Sequence, residues 1–180
     1  MWKLAIVTTG ALLTGVAAGC GGTRTVVETT TVERNVPPML SATGDQRIFG
    51  RIKSLQRDGD RYELRLDPVS FLSGVTANVA QAEDQRTPCR PSACPPVAND
   101  NYVVDEGHRL LTYIIPAGVR GTVLARGSSN GLRSTTITAA QLAQLVAGTS
   151  PLKLFEPLST GVWVLVHVDT VRTFAQQYRP

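Results

Sequence analysis

Apolar and polar residues alternate with a period of two over residues 62–67, where Tyr62, Leu64 and Leu66 share one face and Glu63, Arg65 and Asp67 the other. That pattern predicts a half-buried strand. A second strand over 48–55 precedes it, and Asp58-Gly59 between the two is a hairpin signal. Past Pro68 the period lengthens: Leu72, Val75, Val79 and Ala82 recur at steps of three and four, which predicts a helix around 75–83. Further strands are expected over 102–108 and 109–115, separated by Gly107, and over 119–126. A flexible turn follows at 127–131. Thr138 and Gln141 have capping-box spacing, Ile137 and Leu142 form a hydrophobic staple around it, and Gly148 ends the helix they start. Residues 161–168 are apolar on both faces, as in a central strand, and 171–178 returns beside them. Strands joined by short turns outnumber helices. The expected fold is α+β, with a mostly antiparallel, curled or barrel-like sheet and two short helices.

The N-terminus reads differently. Lys3 precedes an apolar run from Leu4 that ends in Ala17, Ala18, Gly19 and Cys20, the order of an export signal and too short for a spanning helix. The last four residues resemble the lipobox of bacterial lipoproteins, in which cleavage before the cysteine leaves it lipid-modified. Alanine stands at position 17, where leucine is usual; the alternative is an ordinary secretory signal with an incidental cysteine. Two or more acyl chains such as palmitate would anchor the protein stably, at about 0.8 kcal/mol per buried methylene. Residues 20–40 are rich in Thr and Val and end in Pro37 and Pro38. They read as a tether reaching roughly 60 Å at about 3.3 Å per residue, although a β-branched run of this kind could also pair as a strand. The division is thus an export signal over 1–19, a lipid-anchored tether over 20–40 and one α+β domain over 41–180.

Charge narrows the function classes. The net charge of the 180 residues is +4 and fifteen of the eighteen basic residues are arginine, but they are spread singly along the chain. A phosphate-binding stripe is absent from the sequence, so nucleic acid is not an expected partner. Cysteine parity is more informative. With Cys20 taken by lipid, Cys89 and Cys94 form an even pair in an oxidising compartment, so a disulfide is expected there. They lie in a proline-rich loop, 87–101, of a length uncommon in a compact domain unless functional or disordered. Arg90, Ser92, Asn99, Asp100 and Asn101 are its candidate recognition residues.

Three short stretches carry a resemblance: Phe71-Leu72-Ser73-Gly74, the run 97–103 with Asn99, Asp100 and Tyr102, and the terminal Gln176, Gln177, Tyr178, Arg179 and Pro180. With them the chain, over about 46–180, resembles an uncharacterised family of small exported proteins from high-GC Gram-positive bacteria. The resemblance implies β-rich structure and brings no activity. Asn101, set between Asp100 and Tyr102, departs from the pattern, and the cysteine loop is an insertion of this chain's own.

Catalytic and metal patterns are weak. Asp105, Glu106 and His108 could be metal ligands by type, but they lack helical spacing and read as a solvated loop beside Gly107. His167 alternates onto the face of Trp163 and Leu165 and reads as a packed core histidine. Asn99, Asp100, Asn101 and Asp105 suggest calcium but lack the loop glycine and closing glutamate of an EF-hand. Trp163, Tyr102 and Tyr178 read as core rather than as pocket lining. No cofactor, metal site or catalytic residue is therefore expected. The first expectation is a membrane-tethered, extracytoplasmic lipoprotein whose non-catalytic domain binds or scaffolds an envelope protein or glycan. The alternative is an envelope-associated hydrolase using Asp105, Glu106 and His108 in one cleft. A third reading is an inhibitor-like module presenting Arg90.

Overall fold

The computed structural model describes residues 44–127 and 131–179. The expected export signal, lipidation at Cys20 and tether fall outside the described residues. Nine strands and two helices follow in the order β1 (Asp45–Asp58), β2 (Arg61–Pro68), β3 (Ser70–Ser73), α1 (Gly74–Asp84), β4 (Asn101–Val104), β5 (Leu111–Pro116), β6 (Arg120–Arg126), β7 (Leu132–Thr138), α2 (Ala139–Val146), β8 (Val162–His167) and β9 (Thr170–Gln176).

Five of these strands close into a barrel. The order is β5-β2-β1-β8-β9, antiparallel throughout, and β9 returns to β5 in parallel at Ile114 and Thr170. The Ile114 N–H donates to the Asp169 carbonyl at 2.8 Å across that seam. The long first strand makes closure possible, because β1 pairs with β8 over 45–50 and with β2 over 50–58, switching partners at Gly50. A register shift between Ile52 and Ser54 adds local twist just beyond the switch. With α2 between the third and fourth barrel strands, and the third and fifth parallel, the connectivity is that of an OB-type Greek-key barrel.

The interior follows from the alternation. Leu64, Leu66, Ile115, Val162, Val164, Val166, Val171 and Phe174 are almost wholly buried, joined by Leu142 from α2. The capping box forms as expected, the Gln141 N–H donating to Thr138 Oγ1 at 3.3 Å and the Thr138 N–H to Gln141 Oε1 at 2.9 Å, and Ile137 and Leu142 are both buried in the core. Beyond the turn at 116–119, β6 continues beside β9, in parallel at Thr122 and Ala175, and carries β7 as an outer hairpin arm. Gly121 is required where β6 crosses Phe174, since a Cβ there would lie 2.2 Å from the Phe174 carbonyl oxygen.

Several expectations need correction. The strands expected over 102–108 and 109–115 are shorter and fall in different sheets: β4 pairs with β3 and β5 with β2, and residues 105–110 between them belong to no strand. Both β3 and β7 go beyond the predicted strands. The stripe expected for the first helix also shifts, because Leu72 belongs to β3 and Val75 is exposed, while Ala77, Val79, Ala80 and Ala82 are buried. On β8 the inner Val162, Val164 and Val166 are core, but Trp163, Leu165 and His167 lie on the outer face and are only half-buried.

Candidate functional site

Between β2 and β5 the chain leaves the barrel and builds an insert from β3, α1, the cysteine loop and β4. Gly74, at φ +60°, turns the chain into α1. Ser73 supplies no side-chain cap there; the Gly74 N–H donates instead to the Asp100 carboxylate at 3.1 Å, from the far end of the loop. Asn78, midway along α1, accepts from the Val97 N–H at 2.8 Å, and the Tyr102 hydroxyl donates to Asp84 at 3.0 Å. Burial, and then that bond to Asp84, raise the Tyr102 phenol above its ordinary value of 10.0.

Cys89 and Cys94 are joined by a disulfide. Cys94 is buried against Val79 and Ala82 of α1, which fixes one end of the small ring to the helix. Arg90, Pro91, Ser92 and Ala93 then stand exposed on a single helical turn, closed by the Ala93 N–H donating to the Arg90 carbonyl at 2.8 Å. Of the five candidate recognition residues, only Arg90 and Ser92 lie on this tip. Asn99 and Asp100 adopt positive φ, 58° and 54°, with Asp100 on the α1 N-terminus, and Asn101 accepts from Arg179 Nε at 3.4 Å. Asp100 thus ties the loop to α1, and Asn101 ties the insert to the C-terminal segment.

The insert is seated on the outer face of the barrel by an aromatic cluster. Phe71 of β3 meets Phe49 of β1 edge-on at 5.0 Å and Trp163 of β8 at 5.6 Å, and Phe49 lies 5.0 Å from Trp163. The Arg47 guanidinium stacks 4.3 Å from the Trp163 ring, whose N–H donates to Gln177 at 2.9 Å. Phe49 is buried here although it points away from the barrel interior, and a side chain at Gly161 would strike its ring at 2.2 Å. Arg51 pairs with Asp105 at the other margin, and the Val69 N–H donates to the Phe49 carbonyl at 3.1 Å. The three stretches that carry the sequence resemblance meet at this junction: Phe71 on Trp163, Gly74 on Asp100, Gln177 on Trp163 and Arg179 on Asn101. Tyr178 sits farther along, 6.1 Å from Phe155.

Asp105, Glu106 and His108 are neighbours in sequence and separate in their bonding. The Gly107 amide and then the Arg51 guanidinium hold the Asp105 carboxyl below its ordinary value of 3.8, so it stays ionised. Glu106 is 3.5 Å from His108, and both face solvent. His167 is not a core residue: it closes the outer end of β8 and its Nδ1 lies 2.9 Å from Asp45 at the start of β1. Among the described residues no group of three His, Cys, Asp or Glu side chains is placed to hold a metal ion, and no helix is long and apolar enough to cross a membrane.

The sequence also carries a charge asymmetry. Between Gly107 and Phe155 there is no carboxylate, while Arg109, Arg120, Arg126, Arg133 and Lys153 fall in that span. Of these, Arg120 and Arg126 lie on β6 and Arg133 on β7, so that hairpin carries three arginines and no carboxylate. Compared with known proteins, the chain matches no family model, no curated protein and no solved structure.

Proposed function

We propose that the protein is a membrane-tethered, extracytoplasmic binding domain that presents the Arg90–Ala93 tip to a protein or glycan of the cell envelope. The observation that carries this reading is the mechanical design of the insert: an exposed polar tip, clamped by a disulfide, fixed to α1 through Cys94 and seated on the barrel by Phe71. A tip ordered in advance loses less conformational entropy on binding than a free loop of equal length. Disulfides persist in oxidising compartments, which supports export and fits lipid attachment at Cys20. The OB-type connectivity chooses no ligand by itself.

The full-length protein extracted from membranes should carry acyl chains on a chain beginning at Cys20, read by intact mass. A soluble, unmodified product starting elsewhere would remove the membrane part of the proposal. For the recognition part, Arg90→Ala with Ser92→Ala should weaken capture of envelope partners by the lipidated protein while leaving its melting temperature unchanged. Undiminished capture would reduce the tip to a structural insertion.

A further inference from the structure

Among the described residues the seven-stranded sheet has one terminal strand without a second neighbour, β7. In the described strand order β7 is terminal, bonded to β6 on one side only. Which of its groups face outward follows from the ladder. Bonded pairs alternate in an antiparallel ribbon. The Gly127 N–H donates to the Gly131 carbonyl at 2.8 Å, so the next bonded pairs are Ala125 with Arg133, Val123 with Thr135 and Gly121 with Ile137. Leu132, Ser134 and Thr136 therefore direct their N–H and C=O groups away from β6. Thr138, next in the same series, agrees: its N–H leaves the ladder and donates to Gln141 Oε1.

Of the devices that usually block an edge, this one has a single charged residue, Arg133. It contains no proline or lysine, and β6 and β7 pair without a register shift. Leu132 is 45% exposed, and Ser134 and Thr136 are exposed beside it. The hairpin carries Arg120, Arg126 and Arg133 and no carboxylate. Arg126 is engaged on the far flank, 5.7 Å from the Phe155 ring, whereas Arg133 is exposed on the edge strand itself.

We infer that β7 is a strand-addition site for an extended acidic segment of another protein. Main-chain bonds to Leu132, Ser134 and Thr136 supply affinity, and a carboxylate opposite the exposed Arg133 supplies the sign preference. Strand pairing selects a polypeptide, since neither a glycan nor a lipid headgroup offers the alternating N–H and C=O that this edge matches. The site lies on β7, outside the disulfide-bearing insert, so each surface is tested without the other.

The test uses the full chain in detergent micelles and, as probe, an acetylated heptapeptide of alternating valine and glutamate. In the free protein the amides of Arg133, Thr135 and Ile137 should resist hydrogen exchange and those of Leu132, Ser134 and Thr136 should exchange readily; the peptide should slow the second set. Ser134→Pro with Thr136→Pro removes two outward N–H groups without touching a β6 bond, and should weaken the peptide by about tenfold or more, each tenfold being about 1.4 kcal/mol. Arg133→Glu should weaken it comparably, and should instead favour the alternating valine and lysine peptide, which needs no proline at the edge to read out. The proposal is overturned if the acidic peptide does not bind, if it binds without slowing exchange at Ser134 and Thr136, or if both sets of variants bind it as the parent does. It is equally overturned if the edge is occupied by a second copy, seen as a dimer that the proline variants abolish. Binding to phosphatidylglycerol vesicles that requires Arg133 but survives both prolines, with no peptide binding, would replace it with an electrostatic membrane contact.

Discussion

Phe71→Ala tests whether the insert is held in place by the aromatic seat. Phe71 is half-buried, so truncation loses about 1.5 kcal/mol of apolar burial, the low end for a phenylalanine. Its edge contacts with Phe49 and Trp163 add about 1 kcal/mol between them. The sum, about 2.5 kcal/mol, shifts the equilibrium for releasing the insert by roughly 70-fold. The loss should be local, because Leu64, Leu66, Val164 and Phe174 stay packed inside the barrel. Hydrogen exchange is the assay that separates the two. The α1 amides of 78–84 should exchange roughly 70-fold faster, while those of β2 and β8 should change far less. Phe71→Leu, which keeps most of the burial and loses the ring geometry, should fall between. Equal exchange in α1 of the parent and Phe71→Ala would show that Arg51–Asp105 and Asn101–Arg179 hold the insert and that the aromatic seat is incidental. Equal acceleration in α1 and β8 would show that insert and barrel unfold as one unit.

Cys89→Ser with Cys94→Ser should lower stability by about 2 kcal/mol in the chain-entropy treatment of so small a ring, and loosen the C-terminal turn of α1, measured by denaturant unfolding and exchange; no change in either would mean that the ring is not coupled to the helix. Gln176 is buried and accepts from the Leu124 N–H while donating to the Glu156 carbonyl, so Gln176→Leu strands both and should cost about 2–4 kcal/mol in the unfolding free energy; a loss under about 0.5 kcal/mol would refute that account. Val168 is 82% exposed at φ +59°, so Val168→Gly relieves strain without losing burial and should raise the unfolding free energy by about 1 kcal/mol; a fall would contradict it. Asp105 should titrate below 3.8, so whatever its carboxylate contributes is present at neutral pH and is lost as pH falls through that lowered midpoint. Carboxyl NMR should show Arg51→Ala moving the midpoint only part of the way back, since the Gly107 amide is the larger cause; a parent midpoint at or above 3.8 would end the argument.

Local pattern alone determined a good deal of this protein. Alternation placed Tyr62, Leu64 and Leu66 inside, capping chemistry set the start of α2 at Thr138, and parity paired Cys89 with Cys94. Those features rest on interactions within a few residues, or on rules that need no coordinates. The curled α+β sheet also followed from the order of elements. Facing was decided only by the tertiary structure. Trp163, Leu165 and His167 share a strand face whichever side is core, and only barrel closure turned that face outward, leaving Phe49 to be buried by Phe71 from a segment twenty-two positions away. The β3–β4 pairing was hidden for a related reason: four-residue strands have too few positions to show a period, and their register is set by contacts across the loop. Asp100 and Asn101 looked free to recognise a ligand because their partners, Gly74 and Arg179, lie 26 and 78 residues away. The open edge of β7 is likewise a property of topology. No residue in 132–138 announces it; it exists because β9 has already closed the barrel through β5 and continues along β6, leaving β7 the last strand, with nothing to pair on its outer side among the described residues.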